Sequence, residues 1–380
     1  MQERRNGGGI KALMREQMQA GLASLQQGDN EDAREIFSTL LEANPKMAMA
    51  HVGLGRVFAA EGDHHKAMEH FQEAMTIQPD LASAQMFRAE SHEQLGATEE
   101  ALSDYAEAVA LDPSMGLGYL RMARLLTSEN RDDEALELLQ DAVRRSPQDV
   151  GVRLMLANAL ERSNDTERCE AEYKRVVSLK PDLWIAHYQL GKLRLKAGDH
   201  DGARETLTHA VTLAPDQPSV HQALAAAFSG LGEHSRAAKS YDEAVRLKPS
   251  NLRVAVKSAL ARSEAGRHRE AQDVLMGLGR VQRRSSLVQK ALGDIYFAQD
   301  RTVEAAECYR AMILNATKLR EKAPDLVALA EGEMPEDSAA YAKKLRSALS
   351  AQSEIVVEKL RNNPQMMREL RAKRRERNAG

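Results

Sequence analysis

The groups in this 380-residue chain that could do chemistry are eleven histidines, two cysteines and a dense set of charged side chains. Acid–base or nucleophilic catalysis needs a histidine beside a serine, cysteine or carboxylate, and zinc needs clustered ligands at short, characteristic spacings. The histidines do not fall that way. His187 and His221 stand 34 residues apart, and His51 shares their phase, which marks a structural slot. His64 and His65 form an isolated pair in a turn. Cys169 and Cys308 are far apart, so they imply neither a disulfide framework nor a metal motif. The chain has no GxSxG, no glycine-rich phosphate loop ending in Lys-Ser or Lys-Thr, and no HExxH. We therefore read a non-enzyme with no catalytic residue, no metal and no cofactor.

The remaining chemistry is recognition. Lys and Arg number 53 against 56 Asp and Glu, a net charge of −3, but residues 366–380 hold Arg368, Arg371, Lys373, Arg374, Arg375 and Arg377 against only Glu369 and Glu376. A mildly acidic body thus ends in a basic tail. Phosphates of nucleic acid and anionic membranes both attract such a cluster. The tail lacks aromatics for base stacking and its cations sit beside acids, as in an ordinary solvated helix, so nucleic acid is not the favoured partner.

From Met14 to about Leu319 one pattern returns every 34 residues, nine times without a gap. Position 20 of each period is Ala33, Ala67, Ala101, Ala135, Cys169, Ala203, Ala237, Ala271 and Ala305, small enough for two helices to approach closely. Position 15 is Gly, Asn or Asp throughout, types that tolerate the left-handed backbone just past a helix end. Position 32 is proline in the first seven periods, from Pro45 to Pro249, which ends the second helix. Position 24 carries a large apolar or aromatic group, from Phe37 to Tyr309, that no single period can bury alone. The period at residues 252–285 departs from the pattern, with Leu278, Arg283, Gly277 and Gly279 at its second helix.

This period and pattern resemble the tetratricopeptide repeat (TPR) family over about four fifths of the chain. The resemblance implies an all-α, right-handed superhelical solenoid of antiparallel helix pairs, whose first helices line a concave groove for peptide segments or other subunits. The inward positions would then include Met86, Phe87, Leu117, Leu120, Arg121, Arg124, Met155, Asn158, Arg162, Tyr188, Lys192 and Lys196. Cations beside adaptable methionines suit an acidic, amphipathic protein segment. Position 6 shows neither the asparagine ladder of glycosyltransferase arrays nor the carboxylate clamp of co-chaperones.

We expect a flexible leader over 1–13, where Gly7, Gly8 and Gly9 disfavour a helix, then nine repeats over 14–319. Capping helices over 320–363 and a basic tail over 364–380, with Arg371, Lys373, Arg374, Arg375 and Arg377, complete the expected layout. No apolar run reaches the roughly 18 residues a membrane helix needs, and no signal peptide is evident, which points to the cytoplasm. The function that follows is a non-catalytic interaction scaffold or assembly factor. Its alternatives are a recruiting subunit of a separately encoded enzyme, such as a transferase, and a nucleic-acid adaptor acting through the tail. The apolar stripe Tyr341, Leu345, Leu349, Val356 and Leu360 also allows self-association through 336–361.

Overall fold

The computed structural model describes residues 2–315 and 323–361, and these residues contain helices and no strand. They divide into two compact units, residues 1–186 and 187–380. The first unit holds α1 (Gln2–Gln27), α2 (Asn30–Ala43), α3 (Ala48–Ala60), α4 (His64–Ile77), α5 (Ala82–Gln94), α6 (Thr98–Leu111), α7 (Gly116–Ser128), α8 (Asp132–Arg145), α9 (Val150–Arg162) and α10 (Thr166–Leu179). The division falls inside α11 (Trp184–Ala197). The second unit continues with α12 (His200–Leu213), α13 (Pro218–Gly230), α14 (His234–Leu247), α15 (Leu252–Glu264), α16 (His268–Met276), α17 (Arg280–Arg283), α18 (Ser286–Phe297), α19 (Thr302–Asn315), α20 (Pro324–Glu331) and α21 (Ser338–Arg361).

The turns inside the helix pairs follow from backbone sterics. All nine residues at position 15 have positive φ, six of them glycines, and Asn130, Asn164 and Asp300 take φ of 62°, 60° and 57°. That single left-handed residue lets the chain reverse while the next amide still reaches back into the helix, as Asp63 N–H does to the Phe58 carbonyl at 2.9 Å. Asp63 then caps α4 through the Lys66 amide, and Asp149, Asp165 and Asp199 cap α9, α10 and α12 in the same way.

Packing explains the period. The nine small residues at position 20 are all 0% exposed, and of the nine large groups at position 24 only Tyr241 reaches 4%. A methyl group placed on Gly55 would stand 2.6 Å from Phe71 Cε1, and one on Gly293 would stand 2.6 Å from Tyr309 Cε1. Position 8 and position 24 therefore interlock within a pair.

Three departures have physical causes. The leader expected over 1–13 is helical from Gln2, because extending an existing hydrogen-bond ladder costs far less than nucleating one, even through Gly7–Gly9. The second helix of the eighth pair, α16, spans 9 residues where each of the other second helices spans 14. Gly277 ends it, and the four-residue α17 fills the gap. Beyond α19, a cluster joins Ala305, Tyr309 and Ile313 to Leu326, Val327, Tyr341, Leu345 and Leu349, so α20 and α21 bury the outer face of the ninth pair. Tyr341 Oη donates to the Leu329 carbonyl at 2.7 Å, and Arg310 donates to the carbonyls of Ala330 and Gly332 at 2.9 and 2.7 Å. The side chains of Val356 and Leu360, and the whole basic tail, lie outside the described residues.

Candidate functional site

In the first unit the groups expected on the inward face separate into three kinds. Met86 is withdrawn into the core at 3% exposure, its sulfur directed at Gly118, so it packs the array and offers no contact surface. Leu117 is 53% exposed, and Phe87, Leu120, Met155 and Asn158 are half-buried. Asn158 Oδ1 accepts the Tyr173 hydroxyl at 2.8 Å, which ties it to the position-24 ring of its own pair.

The cations are mostly engaged. Arg121 lies 3.4 Å from Glu90 Oε1 and 3.7 Å from Glu93 Oε1, and Tyr105 donates its hydroxyl to Glu93 Oε2 at 2.8 Å. Burial and that acidic neighbour raise the Tyr105 pKa well above the phenolic range, so it remains a donor. Burial also raises the pKa of Glu90, an effect that Arg121 opposes. Arg162 is held by Asp132 at 3.0 Å and by Thr127 at 3.1 Å. Arg124 is exposed and forms no ion pair among the described residues. In the second unit, Lys192 Nζ lies 5.3 Å over the Tyr188 ring and donates to Gln189 at 2.9 Å, and Lys196 is exposed.

In the first unit the structure adds Arg56, which the expected inward positions did not include, beside Phe87 and Arg121, which they did. Arg56, on α3, lays its guanidinium 4.7 Å from the centre of the Phe87 ring on α5. Phe87 in turn stacks on Phe71 at 6.0 Å. Among the described residues Arg56 makes no hydrogen bond or direct ion pair; burial lowers its pKa from the ordinary guanidinium value, an effect that the nearby Glu90 carboxylate opposes. It opens onto a cavity of about 390 Å³ whose lining includes His64, Phe71, Phe87, Glu90, Gln94 and Arg121. His64 Nδ1 is buried there without a partner. The sequence signal was present. Arg56 to Phe87 and Glu90 to Arg121 are the same step, from position 9 of one repeat to position 6 of the next.

The phased histidines take a structural role. His51 Nε2 bonds the Pro45 carbonyl at 3.2 Å, and His221 Nε2 bonds the Pro215 carbonyl at 2.8 Å. Arg153 and Gln289 occupy the same position and donate to the carbonyls of Pro147 and Arg283, each at 2.8 Å. Each tether closes the turn between repeats. Cys169 is fully buried, its Sγ donating to the Ala157 carbonyl at 3.2 Å, and burial pushes the Cys308 thiol up to about 11, so Cys308 is not a reactive thiolate at neutral pH. Among the described residues no three His, Cys, Asp or Glu converge as a metal site.

The tetratricopeptide repeat profile matches residues 18–82, 78–116, 88–150 and 188–252, and a second profile of the same description matches 133–186. This chain is a member of the tetratricopeptide repeat family. The matches end where the eighth TPR departs from the pattern. No curated protein matches the sequence. Solved structures share the fold. The C-terminal part of a TPR repeat-containing protein from Cytophaga hutchinsonii is 12% identical, with 63% of this chain and 98% of that chain covered at a TM-score of 0.53. PilF of Pseudomonas aeruginosa is 20% identical over 56% of this chain and 96% of its own, with a TM-score of 0.46. YrrB, a TPR protein described as having an unusual peptide-binding site, is 19% identical over 50% of this chain and 97% of its own, with a TM-score of 0.40. No helix among the described residues of this TPR chain is long and apolar enough to cross a membrane.

Proposed function

We propose that this TPR chain is a non-catalytic scaffold that binds a protein segment on the exposed faces of its first helices, with the cavity beside Arg56 and Phe87 as the anchor in the first unit. The observation that carries this reading is the half-buried Arg56 guanidinium, stacked on an aromatic ring yet unpaired and facing an open cavity. Glu90 lies in the same cavity and opposes the effect of burial on Arg56, but it makes no direct ion pair with it. A half-desolvated guanidinium with unused donors therefore gains from a further carboxylate, and the adjoining phenyl rings accept an apolar side chain. The segment that fits is acidic and amphipathic. Leu117, Leu120, Arg124 and Met155 extend the same kind of surface in the first unit, and Tyr188, Lys192 and Lys196 do so in the second.

The test is selection from a display library of random peptides against the full chain and against Arg56→Glu. Wild type should enrich peptides with an acidic residue next to a large apolar one. Those peptides should bind Arg56→Glu at least about tenfold more weakly, since charged hydrogen bonds contribute about 1.5–3 kcal/mol, while helical content stays the same. Equal binding to the variant would refute the assignment.

A further inference from the structure

The eighth repeat leaves an unusual surface where its second helix is cut short. From Val274 to Gly293 the chain has no acidic residue, although Asp and Glu together number 56 in 380 residues. Within that stretch Arg280, Arg283 and Arg284 surround the α17 turn, and none of them has a hydrogen-bonding or ionic side-chain partner among the described residues. At its tip Val281 is 86% exposed, with Met276 at 50% and Leu287 at 38% beside it in sequence. An exposed aliphatic group flanked by unpaired guanidinium groups complements a partner surface that is apolar at its centre and acidic at its rim.

The same unit carries the complement. Between α20 and the start of α21 an open pocket of about 450 Å³ is lined by Ala328, Leu329, Pro335 and Tyr341, with Glu333 and Asp337 as its carboxylates and Lys344 as its one cation. Glu331, Glu333, Glu336 and Asp337 are all exposed, and none forms an ion pair among the described residues. The pocket walls are held in place by the bonds from Tyr341 and Arg310 to the carbonyls of Leu329, Ala330 and Gly332. One molecule thus presents an apolar knob ringed by arginines and an apolar pocket rimmed by carboxylates, the two halves of a self-complementary contact.

We propose that the turn carrying Val281 docks into the Leu329–Pro335–Tyr341 pocket of a second copy of this chain, with Arg280, Arg283 and Arg284 meeting the carboxylates of the 331–337 segment. The contact uses no residue of the peptide-binding faces and stands independently of that reading. If the symmetry closes, each copy contributes one knob and one pocket. The association is salt-sensitive, because exposed ion pairs are screened.

Sedimentation velocity of the full chain at 50 and 500 mM salt tests this, from about 1 to 100 µM, a range suited to a small, weak interface. Wild type should associate, more weakly at high salt. Arg280→Glu/Arg283→Glu/Arg284→Glu and Glu331→Arg/Glu333→Arg/Glu336→Arg should each lose association by at least about tenfold, since each exposed pair contributes a few-fold and like charges then face each other. Mixing the two variants sets the reversed knob of one against the reversed pocket of the other and leaves the remaining knob and pocket in native polarity, so association should return. Five of the six positions are exposed and Arg283 is half-buried, and unchanged circular dichroism would exclude misfolding. A wild type that stays monomeric at every concentration, variants that associate as wild type does, or a mixture that stays apart would each overturn the proposal.

Discussion

His51 and His70 approach Nδ1 to Nδ1 at 3.2 Å, so one nitrogen must donate while the other accepts, and both rings cannot be charged without repulsion. Burial lowers the His70 pKa, and the neighbouring His51 lowers it further. His70 is a base with a depressed folded value, so its contribution to stability is whole above the unfolded value of about 6.5 and is lost as pH falls through the folded one. Denaturant melts between pH 8 and 5 should show wild type losing stability faster than His70→Gln on acidification; parallel curves would exclude this coupling. Steric room is as exacting as charge. Gly55→Ala should destabilise the chain by about 1–3 kcal/mol in urea, because the added methyl meets Phe71 with the Ala67 carbonyl behind it. Much at this scale was legible in the sequence, since a residue type repeated nine times declares its environment. Met86 was not, because a methionine suits a groove and a core equally well and only the approach of Gly118 decides between them. The pairing of Arg121 with Glu90 and Glu93 one repeat earlier was likewise not legible, because it joins side chains of two different periods.

Helices are defined here by how they stop. Asn164 holds φ of 60° between α9 and α10, a conformation that costs an ordinary L-residue about 1–2 kcal/mol. Asn164→Ala should lower stability by about that amount, whereas Asn164→Gly should not; equal losses would show that the asparagine side chain, not the backbone, matters. Arg153 joins three elements by bonding the Pro147 carbonyl at 2.8 Å and Glu172 at 2.5 Å while only 8% exposed. Removing it leaves a carboxylate and a carbonyl unanswered, so Arg153→Ala should cost about 3 kcal/mol or more, with Arg153→Lys recovering only part. Helix existence and the turns between helices were readable because Gly, Asn, Asp and Pro act through local sterics. The α1 start was not, because glycine propensity is a weak term once a ladder exists. The weakening at Gly277 and Gly279 was readable, but the Arg280–Arg283 turn that replaces the lost helix was not, since a four-residue helix has no period to recognise.

Across each unit, stability is a sum of neighbouring contacts, and the places with few contacts open first. Amides of residues 277–285 should therefore exchange faster than those of α14, measured by mass spectrometry on peptides; protection equal to α14 would contradict the reading. At the other end of the second unit, Leu345 is fully buried against the ninth pair. Leu345→Ala should destabilise that unit by about 2–5 kcal/mol. The array as a whole was the most legible feature, because its evidence accumulates over every period. The candidate anchor at Arg56 was less so, because it arises between repeats, from a side chain of one and a ring of the next, and no single period contains it.

The tethers at position 4 have a consequence for how such a chain can change over generations. Histidine, arginine and glutamine all serve there, and each bonds a carbonyl six residues upstream. The acceptor is a main-chain oxygen, which every repeat supplies whatever its side chains. A new donor therefore demands no matching substitution in the preceding repeat, unlike an ion pair, where both partners must change together. Repeats joined in this way can diverge one at a time, or be duplicated and exchanged, without losing the closure of the turn that links them.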